Sequence, residues 1–179
     1  FTDSNSQNQM KTFYYPTRIL AIIAACNLIV STISAKEKPK KVIVFVCEHG
    51  VAKSVVAAAH FNKLVQERNL PYIAIARGTE PQDSLMMSVV KGLHNEHLAA
   101  SQKPAPKLSQ ADCNTALRSV FFCPIPPSYQ RNTNTERWQN VPPVSEDYNR
   151  ARDSIVADIR HLLDELAAAT SSSLPKKKP

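Results

Sequence analysis

The sequence lacks an internal repeat, which excludes a solenoid or propeller. It also lacks an apolar run of the roughly 20 residues that a bilayer-spanning helix needs. Its longest apolar stretch, Ile19 to Ile33, is interrupted by Asn27, Ser31 and Thr32. An excess of one charge sign is absent from most of the chain as well. The formal net charge is +7, yet Lys11, Arg18, Lys36, Lys38, Lys40 and Lys176 to Lys178 account for the surplus from the flanks. Residues 41–169 are close to neutral, so a basic groove for nucleic acid is excluded. No metal site and no bound cofactor is expected.

What is present begins with a core. In a chain of 179 residues, 43% apolar composition supports one small domain with extensions. The extension in front has three parts: Lys11 and Arg18, then the apolar stretch, then Ser34-Ala35 ahead of the polar run KEKPKK. That is the layout of an export signal starting at Met10, cut after about Ala35, with residues 1–9 upstream of it. A competing reading takes Ile23-Ala24-Ala25-Cys26 as a lipobox, with the protein anchored through Cys26. Membrane association is expected only through this leader or its lipidation. The protein is therefore expected to be exported, with 36–40 as a charged linker, 41–169 as the folded domain and 170–179 as a disordered basic tail. The mature domain retains Cys47, Cys113 and Cys123, an odd number that leaves at least one free thiol.

Within the domain, Val42 to Val46 reads as a buried strand leading into Cys47 and the loop Glu48-His49-Gly50-Val51-Ala52. A helix face follows over Ser54 to Arg68, then an apolar strand at Tyr72 to Ala76, and a second helix from about Gln82 to Leu98. Ser109 is an N-cap candidate for a short helix carrying Cys113, and Ser119 to Cys123 makes a third strand. A proline-rich loop precedes a short fourth strand within Thr135 to Val141. From Ser145 to about Ala169 the helical period is clearest, with Glu146 and Asp147 at its positive end. This order gives an α/β sandwich with a mostly parallel sheet.

Such a sheet binds ligands at the C-terminal ends of its strands, where Cys47 falls. A thiol between a strand end and a helix start sits where backbone N–H groups and the helix dipole converge, a cradle for an anion. Helix N-terminus and lysine both favour thiolate, so Cys47 is the candidate nucleophile. Lys53 supplies charge to the oxyanion, and Ser54 can donate a hydrogen bond to the sulfur. The alternative is that Cys47 is an ordinary buried cysteine.

Cys47-x5-Lys53-Ser54 after the first strand, with Arg77-Gly78-Thr79 after the second, resembles the low-molecular-weight protein tyrosine phosphatases and the related thioredoxin-coupled arsenate reductases. Trp138, Pro142-Pro143 and Asp147 to Asp153 are similar to the closing segment of that family. The resemblance spans about Lys41 to Leu166. It implies a three-layer sandwich with a four-stranded parallel sheet of order 2-1-3-4. It also implies a small oxyanion or phosphorylated substrate, with Cys47 forming a covalent thiophosphate or thioarsenate. For a reductase it implies an external thiol or thioredoxin-like partner, with Cys123 at one relay position; Cys113 lies upstream, and a second downstream cysteine is missing. Core packing or a structural disulfide is the alternative for Cys113 and Cys123.

Three departures bear on turnover. Lys53 stands where the family has arginine, which keeps the charge and loses the planar fork that grips two equatorial oxygens. On that ground Lys53→Arg is expected to raise turnover. Pro142-Pro143 replaces the Asp-Pro pair that carries the general acid; Asp147 is the nearest substitute, although its place in a first helical turn suits dipole complementation. Glu48 beside the nucleophile opposes a bound dianion unless it points outward or is protonated, and His49 is either a compensating donor or a solvent-facing residue. Two readings result: a cysteine-dependent phosphatase or arsenate reductase, and a non-catalytic oxyanion or phosphoresidue binder of the same fold.

Overall fold

Five consecutive apolar residues, Val42 to Val46, form the middle of β1 (Lys41–Cys47), the strand on which the sheet is built. Side chains alternate across a strand, so an unbroken apolar run implies burial on both faces. Ile43 and Phe45 face one layer, whereas Val44 and Val46 face the other, and all four are fully buried. The computed structural model describes residues 40–98, 103–129 and 134–172. The leader with Cys26, most of the linker and the tail beyond Ser172 lie outside the described residues.

The remaining elements are α1 (Lys53–Glu67), β2 (Tyr72–Gly78), α2 (Met87–Asn95), α3 (Gln110–Thr115), β3 (Arg118–Phe121), a 3-10 turn at Pro127–Tyr129, β4 (Thr135–Arg137) and α4 (Tyr148–Ser172). The four strands are parallel in the order β2-β1-β3-β4, as the resemblance implied. Residues of α1, α2 and α4 pack with Ile43, Phe45 and Val120 on one face, and Cys113 and Ala116, from α3 and its end, pack with Val44 and Val46 on the other. Phe45 is the centre of the larger cluster: its ring lies 5.7 Å from Phe61 and 5.7 Å from Trp138. Each large side chain so buried contributes on the order of 1.5–3 kcal/mol.

Register positions the site. Cys47 is level with Gly78 across β1 and β2, and Val46 is level with Phe121 across β1 and β3. Cys47, Gly78-Thr79 and Phe122-Cys123 therefore emerge at one edge of the sheet.

Several expected boundaries move: β2 runs on to Gly78, β3 is Arg118–Phe121 in place of Ser119 to Cys123, and the second helix ends at Asn95 in place of Leu98. The second helix starts at Met87 instead of Gln82, because Gln82 and Met86 use their N–H groups on the carbonyls of His49 and Val51. The last helix starts at Tyr148, not Ser145, because Pro143 to Glu146 turns first, with Glu146 N–H donating to Pro143 at 3.3 Å. It also continues to Ser172, past the expected limit at Ala169. Gly92 lies inside α2 because a Cβ there would run into the Tyr148 ring of α4.

Candidate active site

The loop between β1 and α1 turns its carbonyl groups outward. Those of Cys47, Glu48, His49, Gly50 and Val51 accept from the N–H groups of Thr79 (3.1 Å), Glu80 (2.8 Å), Gln82 (3.0 Å), Ala105 (2.8 Å) and Met86 (3.3 Å). Among the described residues, none of the N–H groups of Glu48 to Ala52 donates to a backbone carbonyl. Ala52, at the N-cap of α1, also provides no side-chain cap. A helix N-terminus left open in this way meets an anion with unspent donors and the positive end of its dipole. Gly50 allows the curl: its φ is +64°, and a Cβ would stand 2.9 Å from the Ala105 carbonyl oxygen.

Cys47 and Ser54 meet as expected. Sγ and Oγ are 3.0 Å apart, both side chains are buried, and Ser54 is fully enclosed. The thiol opens on a cavity of about 550 Å³ walled by the loop, by Gln82 and Met86, by Phe122 to Pro124, and by Pro143 to Ser145. Lys53 lines it as well, and its Nζ donates to the Val141 carbonyl at 2.6 Å. Partial burial lowers the Lys53 pKa below its ordinary 10.5, and the nearby Cys47 charge opposes that shift.

Glu48 is exposed and lines the cavity, where its charge acts on Cys123. His49 Nδ1 is 3.4 Å from the Glu80 carbonyl oxygen, so the ring is turned toward backbone. Asp147 does not line the cavity. Its Oδ1 accepts from Arg150 N–H at 3.0 Å, making it the N-cap of α4.

The other two cysteines separate. Cys123 lines the same cavity as Cys47, and its thiol is pushed up to about 11 by burial, then by the charges of Cys47 and Glu48, against a hydrogen bond with Thr79. Cys113 is buried with Val44, Val46 and Phe121 on the other face of the sheet, and burial raises its pKa. Both are free thiols, so the expected alternative of a structural disulfide is absent from the described residues. Arg77 points away from the cavity chemistry: Nε and an Nη hold Asp112 at 3.1 and 2.9 Å, and this pairing lowers the Asp112 pKa against its burial. Sequence reading did not anticipate Gln82, Met86, Phe122 or Val144 in the wall. Phe122 was within reach as the neighbour of Cys123, whereas Gln82 and Met86 were concealed inside an expected helix.

No protein-family model matches the sequence, and no curated protein does. Solved structures do match in fold. YfkJ from Bacillus subtilis aligns with a TM-score of 0.64 at 14% identity, covering 75% of this chain and 98% of its own. A low-molecular-weight protein tyrosine phosphatase from T. tengcongensis gives 0.62 at 15% identity, over 70% of this chain and 99% of its own. An arsenate reductase from Archaeoglobus fulgidus gives 0.57 at 24% identity, over 68% and 98%. The chain has the fold of the low-molecular-weight phosphatases and of that reductase.

Proposed function

We propose that the domain is a cysteine-dependent enzyme in which the Cys47 thiolate attacks a phosphate ester or arsenate held in the Cys47–Ser54 loop. The observation that carries this reading is the outward fixing of five successive carbonyls, which leaves the loop's N–H groups for a ligand. Preorganised donors of this kind stabilise charge that develops in a transition state. Ser54 at 3.0 Å holds the sulfur, and Lys53 adds a positive charge beside it. Phosphoryl transfer depends chiefly on positioning and electrostatics, both of which such a loop supplies.

The test is turnover of an aryl phosphate, and of arsenate with added thiol, by wild type and by Cys47→Ser. Wild type should exceed the variant by at least about a thousandfold on one of the two substrates. Equal rates would reject the proposal. In the reductase case the Cys123 thiol, facing the same cavity, would attack Cys47 Sγ of the thioarsenate, so that a Cys47–Cys123 disulfide forms as the sulfur–arsenic bond breaks and arsenite leaves, and a thioredoxin-like protein would reduce that disulfide.

A second reading, a non-catalytic oxyanion or phosphoresidue binder, draws support from Asp147: the nearest substitute for the missing acid is committed to a helix cap. Calorimetric titration with phosphate separates the two, since a binder would take up phosphate through the loop with no turnover above Cys47→Ser. We place the domain outside the cytoplasm on the strength of the leader over 10–35. N-terminal sequencing of the mature protein distinguishes cleavage after Ala35 from processing at Cys26, and an intact leader would refute both.

A further inference from the structure

The cavity contains one side chain whose position answers a question that the absence of an Asp-Pro acid leaves open. Lys53 begins α1 beside the anion loop, yet its Nζ is fixed 2.6 Å from the carbonyl oxygen of Val141, directly before Pro142-Pro143. The next residues of that segment, Pro143 to Ser145, form the cavity wall facing the loop's ligand space. An ammonium has three N–H bonds. One is occupied by Val141, and two remain for oxygens in the cavity. We propose that Lys53 is the proton donor to the leaving group, so that one residue combines the oxyanion charge with the general acid.

The proposal rests on the phosphatase reading above. In the first step a bond forms between Cys47 Sγ and phosphorus while the bond from phosphorus to the ester oxygen breaks. That oxygen takes a proton from Lys53 Nζ and departs as the alcohol or phenol. In the second step the neutral Lys53 amine accepts a proton from water as the water oxygen attacks phosphorus. The sulfur–phosphorus bond breaks, phosphate leaves, and both the Cys47 thiolate and the Lys53 ammonium are restored. Burial supports the assignment, because it lowers the Lys53 pKa from 10.5, against the opposing charge of Cys47, and so makes the proton easier to give up. Arginine cannot take this role, since it does not give up its proton in proteins. The proposal therefore reverses the expectation from sequence that arginine at position 53 improves turnover.

The experiment compares wild type and Lys53→Arg on two aryl phosphates, one with an activated nitrophenol and one with an unactivated phenol as leaving group, across pH. General acid catalysis is worth about 10² to 10⁴ in rate, so Lys53→Arg should lose about a hundredfold or more on the unactivated ester and about tenfold or less on the activated one. Wild type should also show a fall in kcat on the alkaline side, as Lys53 loses its proton below 10.5, and the variant should lack it. Equal losses on both esters, or a gain on both, would overturn the proton-donor role while leaving the phosphatase reading intact. Absence of any Cys47-dependent turnover by wild type would overturn both.

Discussion

At the scale of single residues, the site depends on what Ser54 does for the sulfur. Its hydroxyl is fully buried and 3.0 Å from Cys47 Sγ, and any thiolate there would be held by a charge-assisted hydrogen bond. Such bonds are worth roughly 1.5–3 kcal/mol. Ser54→Ala should therefore slow turnover about tenfold to a hundredfold and slow alkylation of Cys47 by iodoacetamide at neutral pH. Unchanged alkylation would mean that the loop's N–H groups alone hold the thiolate. Ser54 was legible in the sequence because it follows Lys53 at a fixed distance from the cysteine. The direction of the Lys53 side chain was not, because its partner Val141 is far along the chain and no local pattern marks a carbonyl as an acceptor.

Among the elements, the start of α4 decides between two roles for Asp147. Its Oδ1 accepts from Arg150 N–H at 3.0 Å, and the Asp147 carbonyl accepts from Ala151 at 3.1 Å, the pattern of an N-cap. Loss of a cap costs about 0.5–2 kcal/mol, and asparagine caps as well as aspartate. Asp147→Ala should lower unfolding stability by about 1 kcal/mol, while Asp147→Asn should match wild type in both denaturant midpoint and turnover. A catalytic acid would show the opposite pattern, with Asp147→Asn stable and inactive. Sequence reading did find a helix with acidic residues at its start, but set its first turn at Ser145. Apolar periodicity locates a helix's face, whereas its first residue is fixed by where the preceding turn closes, here on the Pro143 carbonyl. The second helix began late for a related reason: Gln82 and Met86 serve the Cys47 loop, a long-range demand that a local pattern cannot display.

For the molecule as a whole, the mostly parallel α/β class and the placement of Cys47 at a strand's C-terminal end were legible because unbroken apolar runs and strand–helix alternation are local signals, whereas the sheet order came only through the resemblance that the Cys47 loop carries. A buried polar junction among α1, α2 and α4 was not legible, since its members are scattered. His60 Nε2 lies 2.9 Å from Glu96 Oε2, and Arg152 pairs with the other Glu96 oxygen. Tyr148, whose hydroxyl is also buried, belongs to the same group, and burial raises its pKa. His60 is 8% exposed, and burial lowers its pKa below 6.5, with Arg152 and Lys63 acting in the same direction and Glu96 opposing them. With a folded pKa below the unfolded one, the unfolded chain binds more protons as pH falls through 6.5, so stability declines on acidification. His60 thus contributes no penalty above about pH 6.5 and an increasing one below it, levelling off beneath the folded pKa. Urea midpoints measured from pH 5 to 8 should fall toward the acid end, and His60→Gln should flatten that slope whatever it does to stability at pH 8. An equally steep slope in the variant would move the proton uptake to another group, and a wild-type midpoint that rose toward pH 5 would mean that Glu96 outweighs burial in setting the charge of His60.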